Sequence, residues 1–285
     1  MRSVNQLEQD YYYCKKIIQR NSKSFYYAFS QLPKEKANAV FAIYAFCRLA
    51  DDSVDEARTT EEQVERLDRL ELELSRFEKG VLVDHPIWRA LHDVFTRYDM
   101  NISHFYDQLK GQRMDLYFSY PKTMEQVEEY SYYVAGSVGL MLLQIIAARA
   151  NKDLTNQAIR LGIAMQITNI LRDIGEDYQA NGRIYIPEQE MLTVSYTETD
   201  LANAVINDSF IYIWEKMAHH AEKFYDDFLD HLQYFDQDSR VPVAISAKVY
   251  RRILTAVREN NYDCFKTRNA VPRVEMEKIY QTIQV

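Results

Sequence analysis

Apolar residues recur every three to four positions along most of the chain, which is the spacing that one face of an amphipathic helix requires. This pattern predicts eleven helices joined by short polar connections. Their predicted bounds are Gln6–Arg20, Ser24–Phe29, Lys34–Leu49, Thr60–Glu78, Pro86–Tyr98, Ile102–Leu116, Met124–Ala135, Leu140–Ala150, Thr155–Asp173, Asp200–Asp236 with a break, and Val241–Asn260. One stretch, NGRIYIPEQE, lacks the helical pattern and is predicted to form a turn and an extended segment that Pro187 ends.

The composition agrees with a folded helical protein. The 285 residues are 47% hydrophobic and 27% charged, and only 7 Gly and 6 Pro are scattered among them. No linker, repeat or low-complexity segment divides the chain, so we predict a single all-α domain over residues 1–285. The strongest apolar run, Val138–Ala148, contains Gln144 and is shorter than the ~20 residues that a membrane span needs, which favours a buried helix.

Charge and cysteine content restrict the partners and the compartment. The net charge is -8 and the basic residues form no stripe, so we expect no nucleic acid partner. An acidic protein can still bind an anionic substrate when metal ions lie between the two. Three widely spaced cysteines, Cys14, Cys47 and Cys264, and a polar N-terminal segment predict a reduced, cytoplasmic protein.

Two pairs of aspartates share a spacing of four residues at the ends of apolar helical segments. Asp51 and Asp55 follow one such segment, and Asp173 and Asp177 close another. Residues four apart differ by only ~40° around a helix, so the two carboxylates of each pair point the same way. That arrangement suits a hard divalent cation.

Two further acidic features are interpreted as structural. Asp226 and Asp230 repeat the spacing, but they lie among charged residues and are therefore assigned to a solvated helix face. Asp52 diverges by ~100° from Asp51, and we predict that it supports the site without binding metal.

The second acid pair continues a polar stripe along its helix. Gln166, Asn169 and the two aspartates fall within a sector only ~80° wide. The stripe could face solvent, but amides with few charged neighbours make a poor solvated face, and we favour a buried functional stripe. Two such helices facing each other would crowd carboxylates into one cleft, where Mg²⁺ could bridge them to substrate phosphates. Arg48 and Arg172 could pair with the acids or bind a leaving diphosphate.

The two acidic segments, DDSVD at residues 51–55 and QITNILRDIGED at residues 166–177, resemble the aspartate-rich motifs of the squalene/phytoene synthase family. Three more segments resemble this family in the same order along the chain: NSKSFYYAFSQLP at 21–33, YYVAGSVG at 132–139 and GRIYIPEQE at 182–190. Because these segments together span most of the chain, the resemblance is more specific than either acidic motif alone.

The resemblance implies an isoprenoid-synthase helical bundle around a central cavity, and a head-to-head prenyl transfer. Two prenyl diphosphates would bind with two or three Mg²⁺ ions, and one of them would ionise to an allylic cation. The double bond of the other would attack this cation to form a cyclopropylcarbinyl diphosphate. A second ionisation and rearrangement would then yield the C1–C1′ linked product.

The resemblance also implies a role for each matching residue. Tyr130 is expected to face the reacting centre, and Gln166 to line the cavity. The implied metal ligands are Asp51, Asp55, Asn169, Asp173 and Asp177. The implied diphosphate contacts are Ser22, Ser24, Arg48, Arg172, Tyr250 and, from the basic residues that follow the last predicted helix, Arg268, with Lys266 as the alternative.

Within the family, farnesyl diphosphate, a C15 chain, is the predicted substrate. Phe25 and Phe29 lie one helical turn apart, and Phe41 could meet them to form a bulky floor that suits the shorter chain. The length and the opening segment also most resemble the bacterial members that make dehydrosqualene for C30 carotenoids.

Three alternatives stay open: phytoene synthesis from geranylgeranyl diphosphate, squalene synthesis with NADPH, and a non-enzymatic relative. No dinucleotide fingerprint or apolar C-terminal tail is visible, so we expect no NADPH, and the four intact aspartates favour an enzyme. An oily product would favour a loose, peripheral association with the membrane. The sequence leaves the oligomeric state open.

Overall fold

The computed structural model describes residues 4–283, and every regular element in this range is helical, which confirms the predicted all-α class. Residues 1–3 and 284–285 of the predicted domain lie outside the described residues. Besides the α-helices, this range contains a π-helical segment at Tyr132–Gly136 and a 3-10 turn at Leu232–Tyr234. The helices of this range are α1 Val4–Asn21, α2 Lys23–Phe29, α3 Lys34–Asp55, α4 Thr60–Glu78, α5 Pro86–Arg97, α6 Ser103–Leu116, α7 Met124–Ser131, α8 Ser137–Ile146, α9 Thr155–Asn181, α10 Glu188–Thr193, α11 Glu198–Ala202, α12 Asp208–Asp230, α13 Arg240–Glu259 and α14 Arg273–Thr282.

Helices α3 and α9 continue past their predicted ends, so the four paired aspartates all lie on helices. Helix α3 extends to Asp55, and α9 extends to Asn181. Gly182 follows α9 with a φ of 65°, a left-handed conformation that glycine adopts without strain. Asp173 has a φ of -109° and a ψ of 15°, so the helical geometry of α9 is interrupted at the first residue of its acid pair.

The predicted break within Asp200–Asp236 is confirmed, because caps divide this part of the chain, but the predicted bounds are wrong: α11 begins at Glu198 and α12 ends at Asp230. Thr197 caps the short α11 in a reciprocal capping box with Asp200. Asn207 begins α12 by accepting the backbone N–H of Phe210 at 2.9 Å. Helices α10 and α14 were not predicted, since six and ten residues give little periodicity.

Helices α3 and α9 lie in the interior of the bundle. Helix α3 packs against α1, α5, α6 and α8, and α9 packs against α8, α12 and α13. Phe46 of α3 contacts Trp88 and Phe105 with ring centroids 5.6 and 5.0 Å apart. Trp214 of α12 donates its Nε1–H to the carbonyl of Leu171 in α9 at 3.1 Å, so its buried polar atom is satisfied. These contacts hold both acid-bearing helices in fixed positions.

The apolar run over residues 138–148 forms most of α8, which is a buried helix as predicted. Among residues 4–283, every helix is either too short or too polar to reach across a lipid bilayer. Glycines let α9 approach the α7–α8 segment closely. A Cβ on Gly162 would lie 2.4 Å from the carbonyl oxygen of Ala135, and one on Gly139 would lie 2.4 Å from that of Ala158. Both glycines therefore serve helix packing.

Gly162→Ala is expected to lower the free energy of unfolding by ~1–3 kcal/mol, because the added methyl group would overlap a backbone oxygen that cannot move alone. Gly136→Ala is the control, since the nearest atom to its Cβ is Cδ2 of Tyr132 at 3.1 Å, a side-chain atom that can shift. Urea titrations of both variants measure the effect. Equal stability of the two variants would contradict this account of the helix contact.

Candidate active site

A cavity of about 920 Å³ opens in the middle of the bundle and brings together nearly all of the predicted site residues. The acids lie toward the C-terminal ends of α3 and α9, and one end of the cavity is therefore charged. Earlier turns of these helices contribute apolar side chains such as Val40, Ile43 and Leu161. The predicted residues that line it are Ser22, Ser24, Phe25, Phe29, Arg48, Asp51, Asp55, Tyr130, Gln166, Asn169, Arg172, Asp173, Asp177, Tyr250 and Arg268.

The first acid pair lies at the end of α3. Asp51 accepts a hydrogen bond from Nε2 of Gln112 at 2.6 Å, and burial raises the pKa of Asp51 to about 7 although Arg48 opposes the shift. Asp55 lies one helical turn further along α3 and is open to the cavity. Partial loss of hydration within the protein raises the pKa of Asp55 above its ordinary value as well. Ionising both carboxylates is therefore costly unless a cation binds them.

The second acid pair lies beyond the middle of α9. Burial raises the pKa of Asp177 to about 7, and the charges of Asp173 and Glu176 add to the shift. Asp173 accepts a hydrogen bond from Nε of Arg172 at 2.8 Å, and Nη2 of Arg268 lies 3.5 Å from its carboxylate. Two arginines thus balance Asp173, whereas Asp177 forms no ion pair with any described residue.

Arg183 connects the two acid pairs through Asp115, an acid that the sequence analysis missed. Nη2 of Arg183 donates to the carbonyl oxygen of Asp115 at 2.9 Å, and its Nη1 lies 3.5 Å from the Asp115 carboxylate. The charge of Arg183 also acts against the raised pKa of Asp55 and of Asp177. The guanidinium of Arg183 therefore stabilises the ionised form of acids from three helices. Burial nevertheless raises the pKa of Asp115.

Tyr130 and Tyr185 place two aromatic rings in the cavity wall. The Tyr130 hydroxyl donates to Asp115 at 3.0 Å, and the Tyr185 hydroxyl donates to the same carboxylate at 3.1 Å. The rings stack with centroids 5.1 Å apart. Burial raises the pKa of Tyr130 well above its ordinary value, so the phenol stays protonated at neutral pH.

Two signals in the sequence could have found these missed residues. Arg183 and Tyr185 belong to the segment GRIYIPEQE, which the sequence analysis used only for its resemblance to the family. Gln112 and Asp115 are polar residues three apart on α6, so they lie on one side of that helix, and both line the cavity.

The start of α2 and the middle of α13 form an aromatic wall. Ser22 caps α2 by accepting the N–H of Phe25 at 3.4 Å. The rings of Phe25 and Phe29 stack with centroids 5.6 Å apart, as their one-turn spacing predicts. The ring of Tyr250 lies 5.1 Å from that of Phe25, so α13 closes this side of the cavity.

Phe41 does not belong to this wall, which corrects the predicted floor. Its ring is buried against Tyr26, with centroids 5.9 Å apart, and it is absent from the cavity lining of the described residues. Phe41 follows the cavity-lining Val40 directly and so lies ~100° further around α3. Tyr44 takes its place, since it lines the cavity with its ring 6.3 Å from that of Phe25.

The remaining charged residues lie where the interpretation of the sequence put them. Asp52 forms an ion pair with Arg48 and is not part of the cavity lining. Arg268 lines the cavity, whereas its alternative, Lys266, is exposed and does not. The third aspartate pair, at positions 226 and 230, is exposed on α12.

The amide side chains of α9 leave one oxygen without a donor. Nδ2 of Asn169 donates to Oε1 of Gln166 at 3.3 Å. Oδ1 of Asn169 is buried and has no hydrogen-bond donor among the described residues, so it is an open acceptor beside the second acid pair. No three His, Cys, Asp or Glu side chains within residues 4–283 surround a single cation position. A cation here would therefore need further oxygen ligands from water or from a bound anion.

Comparisons with known proteins agree with this geometry. The family described as squalene/phytoene synthase matches residues 18–275. The chain is 36% identical to a 4,4′-diapophytoene synthase of Staphylococcus haemolyticus, covering 99% of this chain and 98% of that protein. It is also 36% identical to a 15-cis-phytoene synthase of Synechococcus elongatus, covering 95% of this chain and 91% of the relative.

A solved structure is also similar to this chain in fold and in sequence. The crystal structure of a dehydrosqualene synthase in complex with ligand superposes with a TM-score of 0.92 at 42% identity, covering 97% of this chain and 96% of that one. The fold is therefore the isoprenoid-synthase bundle that the motifs predicted. By family match, sequence identity and fold, this chain belongs to the squalene/phytoene synthase family of prenyltransferases.

Proposed function

We propose that this protein is a Mg²⁺-dependent enzyme that joins two farnesyl diphosphates head to head and forms dehydrosqualene through a cyclopropylcarbinyl diphosphate. The observation that carries this proposal is the shape of the site: two acid pairs at one end of a cavity whose other walls are apolar and aromatic. The acids suit a metal-bound diphosphate, and the apolar walls suit a prenyl chain.

The residues present fit a divalent cation. Asp51 and Asp55 on α3, with Asp173, Asp177 and the open oxygen of Asn169 on α9, would hold Mg²⁺. The raised pKa values of Asp51 and Asp177 are what closely placed, metal-free ligands are expected to show. When bound, Mg²⁺ supplies the positive charge that lets a diphosphate bind among carboxylates and leave as an anion.

The arginines at the charged end would bind the diphosphate. Arg172 and Arg268 both pair with Asp173, so they can turn from the carboxylate to an incoming phosphate without crossing the cavity. Arg48 is held by Asp52 on the side of the first acid pair. Ser22, Ser24 and Tyr250, which line the cavity near α2, would add hydroxyl donors.

The aromatic wall would protect the carbocations. Tyr130 and Tyr185 present stacked rings, which can stabilise a cation without acting as nucleophiles. Both hydroxyls donate to Asp115, and these hydrogen bonds fix the orientation of the two rings. Closure of the site by apolar side chains excludes water, which would otherwise quench the cation.

The aromatic floor favours the C15 substrate. The stacked rings of Phe25 and Phe29, together with Tyr44, form the cavity wall beside α2 and would leave less room for a longer chain. Phytoene synthesis from the C20 substrate is the second candidate, because the Synechococcus relative is as similar as the Staphylococcus one.

We expect no NADPH requirement, since the proposed product forms by proton loss. Release of a C30 hydrocarbon would be served by loose association with a membrane.

Product analysis tests the reaction itself. The purified protein with Mg²⁺ is expected to convert farnesyl diphosphate to dehydrosqualene and to release diphosphate, with or without NADPH. Asp51→Ala and Asp173→Ala should each lower the rate by at least ~100-fold, because each removes a proposed metal ligand. Asp226→Ala is the matched control: Asp226 has the same Asp-xxx-Asp spacing but is exposed, and among residues 4–283 it pairs only with Arg251, so the variant should keep nearly full activity.

Products are identified by mass spectrometry of the extracted hydrocarbons. Conversion of geranylgeranyl diphosphate alone, with farnesyl diphosphate left unreacted, would refute the proposed substrate. Unchanged activity in the Asp51 and Asp173 variants would refute the proposed metal site.

Phe29→Ala tests the aromatic floor. Removing the ring should raise kcat/KM for geranylgeranyl diphosphate relative to farnesyl diphosphate by about 10-fold or more, because the longer chain gains the space that the ring occupied. The control is Phe95→Ala, which removes a ring that contacts Phe77 and Phe105 and that lies outside the cavity lining of the described residues. The same change of preference in both variants would show that the floor does not select the substrate.

The raised pKa values of the acids predict a pH-dependent stability. Native Asp51 and Asp177 keep a proton up to about pH 7, whereas unfolded aspartates lose it near pH 4. The metal-free protein should therefore lose stability as the pH rises from about 4 to 7. Asp177→Asn should be more stable than the wild type at pH 8 by ~1–2 kcal/mol and should differ less at pH 5.

Denaturant titrations of both proteins at the two pH values, in the presence of a chelator, measure this difference. Comparison of the variant with the wild type removes the contributions of titrating groups that do not interact with Asp177. A gap between variant and wild type that is the same at both pH values would contradict the assignment.

A further inference from the structure

The π-helical segment Tyr132–Gly136, here called the π segment, begins two residues after Tyr130 and forms part of the cavity wall. Its residues Val134 and Ala135 line the cavity, and Val138 continues the wall one turn further along. Single turns of π-helix are rare and occur frequently at functional sites. These three side chains carry no nucleophilic atom, so this part of the wall suits a carbocation that has to be kept from reacting.

The backbone hydrogen bonding of the π segment differs from that of an α-helix. The N–H of Ser137 donates to the carbonyl of Tyr132, five residues earlier, and not to that of Tyr133, four residues earlier. The Tyr133 carbonyl instead accepts a hydrogen bond from the Ser137 hydroxyl at 2.7 Å. The π segment therefore relies on side-chain donors for a backbone oxygen that an α-helix would satisfy by itself.

Gln108 of α6 supplies further donors to the same oxygens. Its side chain is buried, and hydrogen bonding assigns the amide nitrogen to the side that faces the π segment, where only acceptors lie. In this orientation Nε2 lies 3.1 Å from the carbonyl oxygen of Tyr133 and 3.0 Å from that of Val134. Oγ of Ser137 is a third acceptor at 3.2 Å. The two N–H groups of the amide can serve two of these acceptors at once.

Gln108 belongs to a polar stripe on α6 that connects several parts of the site. Gln108, Gln112 and Asp115 are four and three residues apart, so they share one side of the helix. Gln112 donates to Asp51, and Asp115 accepts the hydroxyl of Tyr130. One helix thus holds the first acid pair, an aromatic ring and the π segment in a fixed relation.

We propose that Gln108 is a positioning residue that keeps the π segment closed against the carbocations by holding the carbonyls of Tyr133 and Val134. This rests on the proposed prenyl transfer. Without these donors, backbone oxygens in the wall would lack partners, and the π segment would loosen and admit water. The diphosphate has already left when the cation exists, so water adds to the cation through its oxygen and releases a proton. A prenyl alcohol then forms in place of the hydrocarbon.

The experiment compares the purified wild type with Gln108→Met, whose side chain has nearly the same length but no donor. With Mg²⁺ and farnesyl diphosphate, the ratio of prenyl alcohols to dehydrosqualene should rise about 10-fold in the variant. KM should stay within about 2-fold, because the proposed diphosphate contacts are untouched. In ¹⁸O-labelled water, only alcohols formed by capture of a cation gain the label, since a contaminating phosphatase cleaves at phosphorus and leaves the alcohol oxygen unlabelled.

Hydrogen exchange measured by mass spectrometry gives a readout that needs no turnover. Peptides that cover residues 131–139 should exchange about 10-fold faster in Gln108→Met than in the wild type, while peptides from α12 should be unchanged. Equally faster exchange in all peptides would show a general loss of stability and would overturn the specific role of Gln108.

Gln157→Met is the control for the substitution itself. Gln157 is a partly buried glutamine that donates to Asp227 at 3.5 Å and lies outside the cavity lining of the described residues. It should change neither the product ratio nor the exchange. If Gln108→Met does not fold, Ser137→Ala replaces it: this variant removes the hydroxyl donor from the Tyr133 carbonyl, and a smaller rise in the alcohols is expected.

An unchanged alcohol share in folded Gln108→Met would overturn the role of Gln108, and so would an equal rise in Gln157→Met. More alcohol with unchanged exchange of residues 131–139 would mean that Gln108 acts on the cation directly, which also overturns the positioning role. A wild type that uses only geranylgeranyl diphosphate would refute the C15 substrate and not this role, since the ratio is then measured for the C20 and C40 products. A wild type without activity would refute the proposed function, while the exchange would still decide whether Gln108 holds the π segment.

Discussion

Five carboxylates share the charged end of a cavity that is otherwise apolar, and the energetic cost of placing them there governs the rest of the site. Low-dielectric surroundings favour the protonated form, which is why the pKa values of Asp51 and Asp177 rise to about 7. Arg172 and Arg268 pair with Asp173 and offset its negative charge. The apoprotein thus keeps acids that are balanced only in part, which leaves the site suited to take up further positive charge.

The architecture of the bundle follows from holding those acids in place. Helices α3 and α9 lie inside the bundle, and aromatic contacts such as those of Phe46 and Trp214 fix them against their neighbours. Glycines at 139 and 162 allow a backbone approach that no side chain would permit. Arg183 then connects acids from α3, α6 and α9. Rigid scaffolding matters here because like charges would otherwise move apart.

Much of this arrangement could be predicted from the sequence. Helical periodicity indicated the fold class, and the acid spacing together with the polar stripe of α9 indicated the charged end of the cavity. The resemblance to the family indicated Tyr130, Tyr250 and Arg268. The site residues that were not predicted, or were predicted wrongly, each have a physical explanation. Asp115 and Arg183 contribute through a contact between residues far apart in the chain, which periodicity does not report. Phe41 was placed in the cavity by its residue type alone, whereas its angle around α3 turns it toward Tyr26.

The three aspartate pairs show why spacing by itself does not define chemistry. Asp226 and Asp230 have the same separation as the two pairs that line the cavity, yet they are exposed, and Asp226 is balanced by Arg251 on the surface. In water, two such carboxylates ionise at little cost and have no need of a metal. On α3 and α9 the same spacing lies beside an apolar cavity, where ionisation needs a compensating charge. The environment that a helix gives to its acids, more than the motif, therefore determines whether they can bind a cation and a diphosphate.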